Sequence, residues 1–144
     1  MAGAAMKQTI ILFPVLLQVM LTLGILMALG PTRARSMREH RQQLGDTDVR
    51  LGQNSWSEQA TKVAKCYQNQ FELPVLFFAV VAFALQAGAV DNVMLSLAWI
   101  FAVSRVVQAV IHIGPNIIVW RGLAFLAGAV ALAGLWVKLA LHIL

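Results

Sequence analysis

The chain has 144 residues, 60% hydrophobic and 12% charged, with a mean hydropathy of +0.76 and a formal net charge of +5. Soluble domains run about 45–50% apolar and about 25% charged, so this composition excludes a soluble domain and marks an integral membrane protein. Seven of the eleven Lys and Arg residues (Arg33, Arg35, Arg38, Arg41, Arg50, Lys62 and Lys65) fall in one hydrophilic region, which positive-inside topology explains without a nucleic-acid partner.

A bilayer crossing takes about 20 apolar residues, and the chain holds four such stretches. Span 1 covers about 9–29. The run is too long for a signal-peptide apolar core of about 7–15 residues, and no A-x-A-like site follows it, so a retained helix is expected. Gly30-Pro31 reads as its stop. Gln18 and Thr22 share a face and suit an interhelical hydrogen bond. The basic stretch of about 31–61 should be a helical extension and then a loop, with turns at Leu44-Gly45-Asp46 and Leu51-Gly52-Gln53-Asn54.

Span 2 covers about 64–88, with a solvated helical lead-in over 57–70. Pro74 should kink its first turns. Cys66, the one cysteine, excludes an intramolecular disulfide and reads as a small buried hydrophobe. Residues 88–92 form a turn. Span 3 covers about 93–113 and carries Arg105, Gln108 and His112 on one helical stripe. After Gly114-Pro115-Asn116 comes span 4, about 117–142, where Ala124, Gly128, Ala131 and Gly134 would let a neighbouring helix approach closely. Trp99, Trp120 and Trp136 suit interfacial anchoring. No metal site is expected.

The basic loop places 31–61 in the cytoplasm and both termini on the opposite side. This topology gathers the polar residues at one end: Arg33 and Arg35 after span 1, Asn69 and Glu72 at the start of span 2, Gln108 and His112 at the end of span 3, and Arg121 at the start of span 4. Arg105 would lie about 10 Å deeper. On a continuous helix Asn69 and Glu72 would point the same way, and the natural partner of the Glu72 carboxylate is Arg105. A buried pair between them would need no ligand. Arginines beside a partly dry pocket bind carboxylates and lower the pKa of a thiol, so an anionic, thiol-bearing peptide or a phospholipid head group would suit the set. His112 fits either a ligand contact or an ordinary end-of-helix position.

Asn69-x-x-Glu72 with a nearby proline, Arg105 within span 3 and Arg121 at the start of span 4 together resemble the MAPEG family, membrane-associated proteins in eicosanoid and glutathione metabolism, in a bacterial-type member. The resemblance covers the whole chain. It implies an all-α homotrimer of four-helix bundles that binds glutathione between subunits and a lipophilic substrate from the bilayer. It also implies that Arg33, Asn69 and Glu72 contact glutathione, and that Arg121, with Arg105, stabilises the thiolate; His112, from its place on the span 3 stripe, is a further candidate glutathione contact. The chain departs from the family pattern at Gln68, where Arg often stands, at Gln108 and His112, where His and Tyr often stand, and at Phe125 in place of a tyrosine. These departures argue against an eicosanoid synthase. Two functions follow: a glutathione-dependent transferase or peroxidase, and a non-catalytic trimer that binds a lipid or another anionic ligand at the same site.

Overall fold

The computed structural model describes residues 2–50 and 56–144, with side chains described over 6–39 and 56–144. Six α-helices account for the described fold: α1 (Ala2–Ile10), α2 (Leu12–Arg50), α3 (Glu58–Gln68), α4 (Leu73–Gln86), α5 (Asn92–Ile113) and α6 (Ile118–Ile143). They make four segments long and apolar enough to cross a membrane, Met6–Glu39, Glu58–Gln86, Asn92–Ile113 and Ile118–Ile143. The all-α, four-span bundle expected from the sequence is the observed fold.

Prolines shape the first two spans. Pro14 is the third residue of α2 and is fully buried. It has no N–H to give the carbonyl of Ile10, and its ring crowds that carbonyl, so α1 and α2 part at Ile11. Pro31 has a weaker effect. The α2 helix continues through it to Arg50, so Gly30-Pro31 does not stop the helix as expected. The Thr32 hydroxyl donates to the carbonyls of Ala28 (2.9 Å) and Leu29 (3.0 Å), and supplements the helix where the proline removes a bond. The expected turn at Leu44-Gly45-Asp46 is also helical, and the one at 51–54 lies outside the described residues. With 39 residues, α2 is about 58 Å long and overshoots a hydrocarbon core of about 30 Å.

The second span is broken rather than kinked. After α3 the chain makes a 3-10 turn over Asn69–Phe71, and Glu72 leaves helical geometry altogether (φ −90°, ψ −95°) before α4 restarts. Pro74 sits in the first turn of α4, where its missing N–H costs least. Asn69 and Glu72 therefore flank a break and do not share the face of one helix, as the sequence had suggested.

At the far end, the Asp91 side chain caps α5 by accepting from the Met94 amide at 2.9 Å. Its other oxygen meets Lys138 Nζ of α6 at 2.7 Å. The Lys138 ammonium and then the Met94 amide hold the Asp91 carboxyl below the ordinary aspartate range. The main core lies between α4, α5 and α6, where Phe77 stacks on Phe101 with ring centroids 4.4 Å apart. Gly128 lets α6 approach α5 closely: a Cβ there would fall 2.5 Å from Ser104 Oγ. Gly134 packs similarly against Leu97. Gly128 and Gly134 of the small-residue stripe read from the sequence do what it implied.

Candidate functional site

Four helices meet at the basic end. Ser57 caps α3, its hydroxyl accepting from the Ala60 amide, and its own amide donates to Ser36 Oγ of α2 at 2.8 Å. Gln59 Nε2 reaches the Ile113 carbonyl at the end of α5. These bonds seat α3 between α2 on one side and the α5–α6 turn on the other, and a cavity opens on each side of it.

The first cavity holds about 350 Å³, within the ordinary range of small-molecule sites, about 300–1,000 Å³. The α3 helix supplies Glu58, Thr61, Lys62 and Lys65, α5 supplies His112, and Asn116 and Arg121 close it. Asn116 stands at positive φ (51°), a conformation that asparagine tolerates, and its Oδ1 accepts from Arg121 at 2.7 Å. Lys62 is paired with Glu58 at 2.7 Å. Among the described residues Lys65 has no carboxylate partner, and the buried Nδ1 of His112 has no hydrogen-bond partner. The result is a half-enclosed pocket with a surplus of positive charge and one carboxylate at its edge.

The second cavity, about 230 Å³, lies on the α2 side, between Arg33, Trp56, Lys65 and Gln68 with Ala60 and Ala64 beneath. The Arg33 guanidinium rests 5.5 Å from the centre of the Trp56 ring. Lys65 and Thr61 line both cavities.

Arg105 belongs to neither. It is 1% exposed, in the interior beside the break of span 2. There it donates to the Asn69 carbonyl at 2.7 Å and to the side chain of Gln108. In an unbroken helix the Asn69 carbonyl would serve the amide four residues on; the break frees it and Arg105 takes it up. The neighbouring Gln70 accepts from Gln18 of α2 at 2.8 Å and donates to the Cys66 carbonyl at 3.1 Å. A buried polar layer thus spans α2, the break and α5. The expected Glu72–Arg105 pair is not formed: Glu72 is exposed, and among the described residues no ion pair joins them. The break turns the Glu72 side chain outward while the backbone carbonyl of Asn69 faces in.

Of the residues anticipated for one cluster, His112 and Arg121 share a cavity, Arg33 lies in the other, and Arg105 is interior. Asn69 and Glu72 line neither cavity. The stripe of Arg105, Gln108 and His112 is buried along its length. Lys65 is the residue the sequence undervalued. Its signal was present, a lysine on the lead-in helix one turn before Asn69, but its position between two cavities follows from where α3 seats.

Four helices long and apolar enough to cross a membrane define a polytopic membrane protein, with a cationic pocket at its basic end. The model of the MAPEG family matches residues 11–141, nearly the whole chain. The chain belongs to the MAPEG family. Comparison with curated proteins and with solved structures returns no match.

Proposed function

We propose that this protein is a glutathione-dependent transferase or peroxidase acting on lipophilic electrophiles, with glutathione held in the cavity between α3, α5 and α6. The observation that carries this reading is the charge of that cavity. Lys65, Lys62 and Arg121 face a space large enough for a small peptide, and Glu58 stands at its edge. Glutathione has two carboxylates and one ammonium, a pattern this donor set fits. Lys65 and Lys62 suit the carboxylates, Glu58 suits the ammonium, and Arg121, held by Asn116, favours the thiolate. The thiolate sulfur then attacks an electrophilic carbon, its proton having passed to water, and the leaving group departs with the bonding electrons. Exposed apolar flanks of α5 and α6 admit a substrate from the bilayer.

In the homotrimer that the resemblance implies, Arg33, Asn69 and Glu72 would reach the pocket of a neighbouring subunit, since within one chain they lie away from Arg121. Crosslinking in native membranes tests this, with a ladder ending at the trimer as the expected result. The proposed sidedness, with the basic end cytoplasmic, is tested by labelling single cysteines placed at Arg38 and at His142 from either side of sealed vesicles.

The principal test is glutathione binding to protein purified in detergent, followed by turnover of a chloronitrobenzene electrophile. Binding at millimolar glutathione, reduced at least tenfold in Arg121→Ala, is the expected result; no binding at that concentration removes the proposal. Gln68 and Phe125 favour the second reading, a non-catalytic trimer that binds a lipid or another anionic ligand at the same site, because both replace polar groups the family often carries there. Binding without turnover selects that reading.

A further inference from the structure

We propose that Asn116 is a positioning residue for the reacting sulfur: it fixes how the Arg121 guanidinium faces the first cavity and so sets how readily a bound thiol ionises there. The role rests on the reading that glutathione occupies that cavity.

The start of α6 departs from an ordinary helix start. Asparagine is among the best N-cap residues, because its side-chain oxygen can accept from the amides of the first turn. Here the N-cap is Ile117, which makes no side-chain cap bond, and Asn116 stands one residue earlier. Its oxygen goes instead to Arg121, accepting from Nη1 at 2.7 Å. Asn116 and Arg121 occupy the residue just before the cap and the fourth residue of the helix, the two positions where an apolar pair often fixes the angle of chain entry. A hydrogen bond takes the place of that apolar contact, and the helix forgoes a side-chain cap.

The backbone is shaped to the same end. Asn116 holds φ at 51°, in the left-handed region that most side chains avoid, and its amide donates to the Ile111 carbonyl of α5 at 2.7 Å. The turn is tight at Gly114 as well, where a Cβ would fall 2.9 Å from the Val110 carbonyl oxygen. The Asn116 oxygen is thus presented to Arg121 from a turn tied back onto α5. A free arginine side chain must be ordered when an anion arrives. One already held has its donors in place before charge develops on the reacting atom, and that preorganisation is what stabilises the developing charge. The other charged or titratable groups on the cavity are Glu58, Lys62 and Lys65 of α3 and His112 of α5. Among the described residues none of them is bonded to the side chain of Asn116 or Arg121. Loss of the Asn116 oxygen therefore acts on ionisation and turnover more than on binding.

The test is pH titration of glutathione bound to the full chain in detergent, read by the ultraviolet absorbance of the thiolate, in the native protein, Asn116→Gly and Asn116→Asp. The absorbance reads the sulfur itself and not the neighbouring groups. Glycine suits the positive φ and removes the oxygen, so the turn is kept. Aspartate keeps an acceptor and adds a negative charge beside the guanidinium. A positive guanidinium favours the thiolate, so displacing it or offsetting its charge raises the midpoint. Asn116→Gly should raise it by about one pH unit, with about tenfold less thiolate and kcat towards a chloronitrobenzene below that midpoint and about twofold or less change in KM for glutathione. Asn116→Asp should raise the midpoint too, yet keep Arg121 held: phenylglyoxal should modify Arg121 several-fold faster in Asn116→Gly than in the native chain or Asn116→Asp. Native binding with an unchanged midpoint in Asn116→Gly overturns the proposal, as does a KM that rises as far as kcat falls. Equal phenylglyoxal rates in all three proteins overturn it as well. No glutathione binding by the native chain removes the glutathione reading itself, and the two failures are thereby told apart.

Discussion

Arg105 and Arg121 are the same side chain one span apart, and their surroundings assign them opposite work. Arg105 is fully enclosed and donates from both terminal nitrogens to the chain itself, to a carbonyl freed by a broken helix and to Gln108. Arg121 is half-buried, donates one bond to Asn116 and turns the remainder of its guanidinium to a cavity. An arginine inside a membrane protein is thus not by itself a binding residue. What separates the two is whether the backbone next to it has an unmet acceptor.

The contrast breaks most sharply at Arg105. Arg105→Leu leaves the Asn69 carbonyl and the Gln108 side chain buried without a donor, and the expected loss is about 3 kcal/mol of stability. A large fall in the detergent melting temperature, with a smaller one in Arg121→Leu, is the predicted order; the reverse order would move Arg105 into the ligand site. Next in size is the contact of α5 with α6. Gly128→Val drives a side chain into Ser104 and should cost about 2 kcal/mol. Much of that should return in the double variant Gly128→Val with Ser104→Ala, and no return would mean that backbone, not the hydroxyl, sets the spacing.

Smaller again is the far side of the polar layer. Gln18→Leu removes the bond to Gln70 and should cost about 0.6 kcal/mol, typical of hydrogen bonds between membrane helices. A loss equal to that of Arg105→Leu would show that the whole layer fails as one unit. The smallest effect is at the opposite end, where Asp91 is paired with a base. Its carboxyl titrates lower in the folded protein than the ordinary aspartate value near about 3.9. Its contribution is therefore complete above that value and fades as pH falls through the lowered folded pKa. Acid melting curves of the native chain and Asp91→Asn should converge at low pH; parallel curves at every pH would remove Asp91 from the acid response.

Much of the architecture was legible because it rests on side chains. Apolar runs marked the four spans, Gly128 marked a close approach, and Gln18 marked a bond between helices. The interior site was not, because its key acceptor is the backbone carbonyl of Asn69, and every residue has one. Sequence shows a proline at 74; it does not show whether the helix bends and keeps its bonds or breaks and releases one. The break sent Glu72 outward and left Arg105 with a carbonyl in place of a carboxylate. Pro31 shows the same ambiguity resolved the other way, with α2 intact.

The bond from Arg105 to Asn69 also bears on how the chain is made. A lone span carrying a central arginine enters the bilayer at a cost of about 2.5–3.5 kcal/mol on insertion scales. The apolar remainder of span 3 offsets that cost, but the guanidinium has no acceptor until the broken turn of span 2 is beside it. During synthesis the second span emerges first and carries the unmet carbonyl; the third brings the donor. In chain order the span that carries the acceptor precedes the one that carries the donor, so the partner of Arg105 is already made when span 3 emerges.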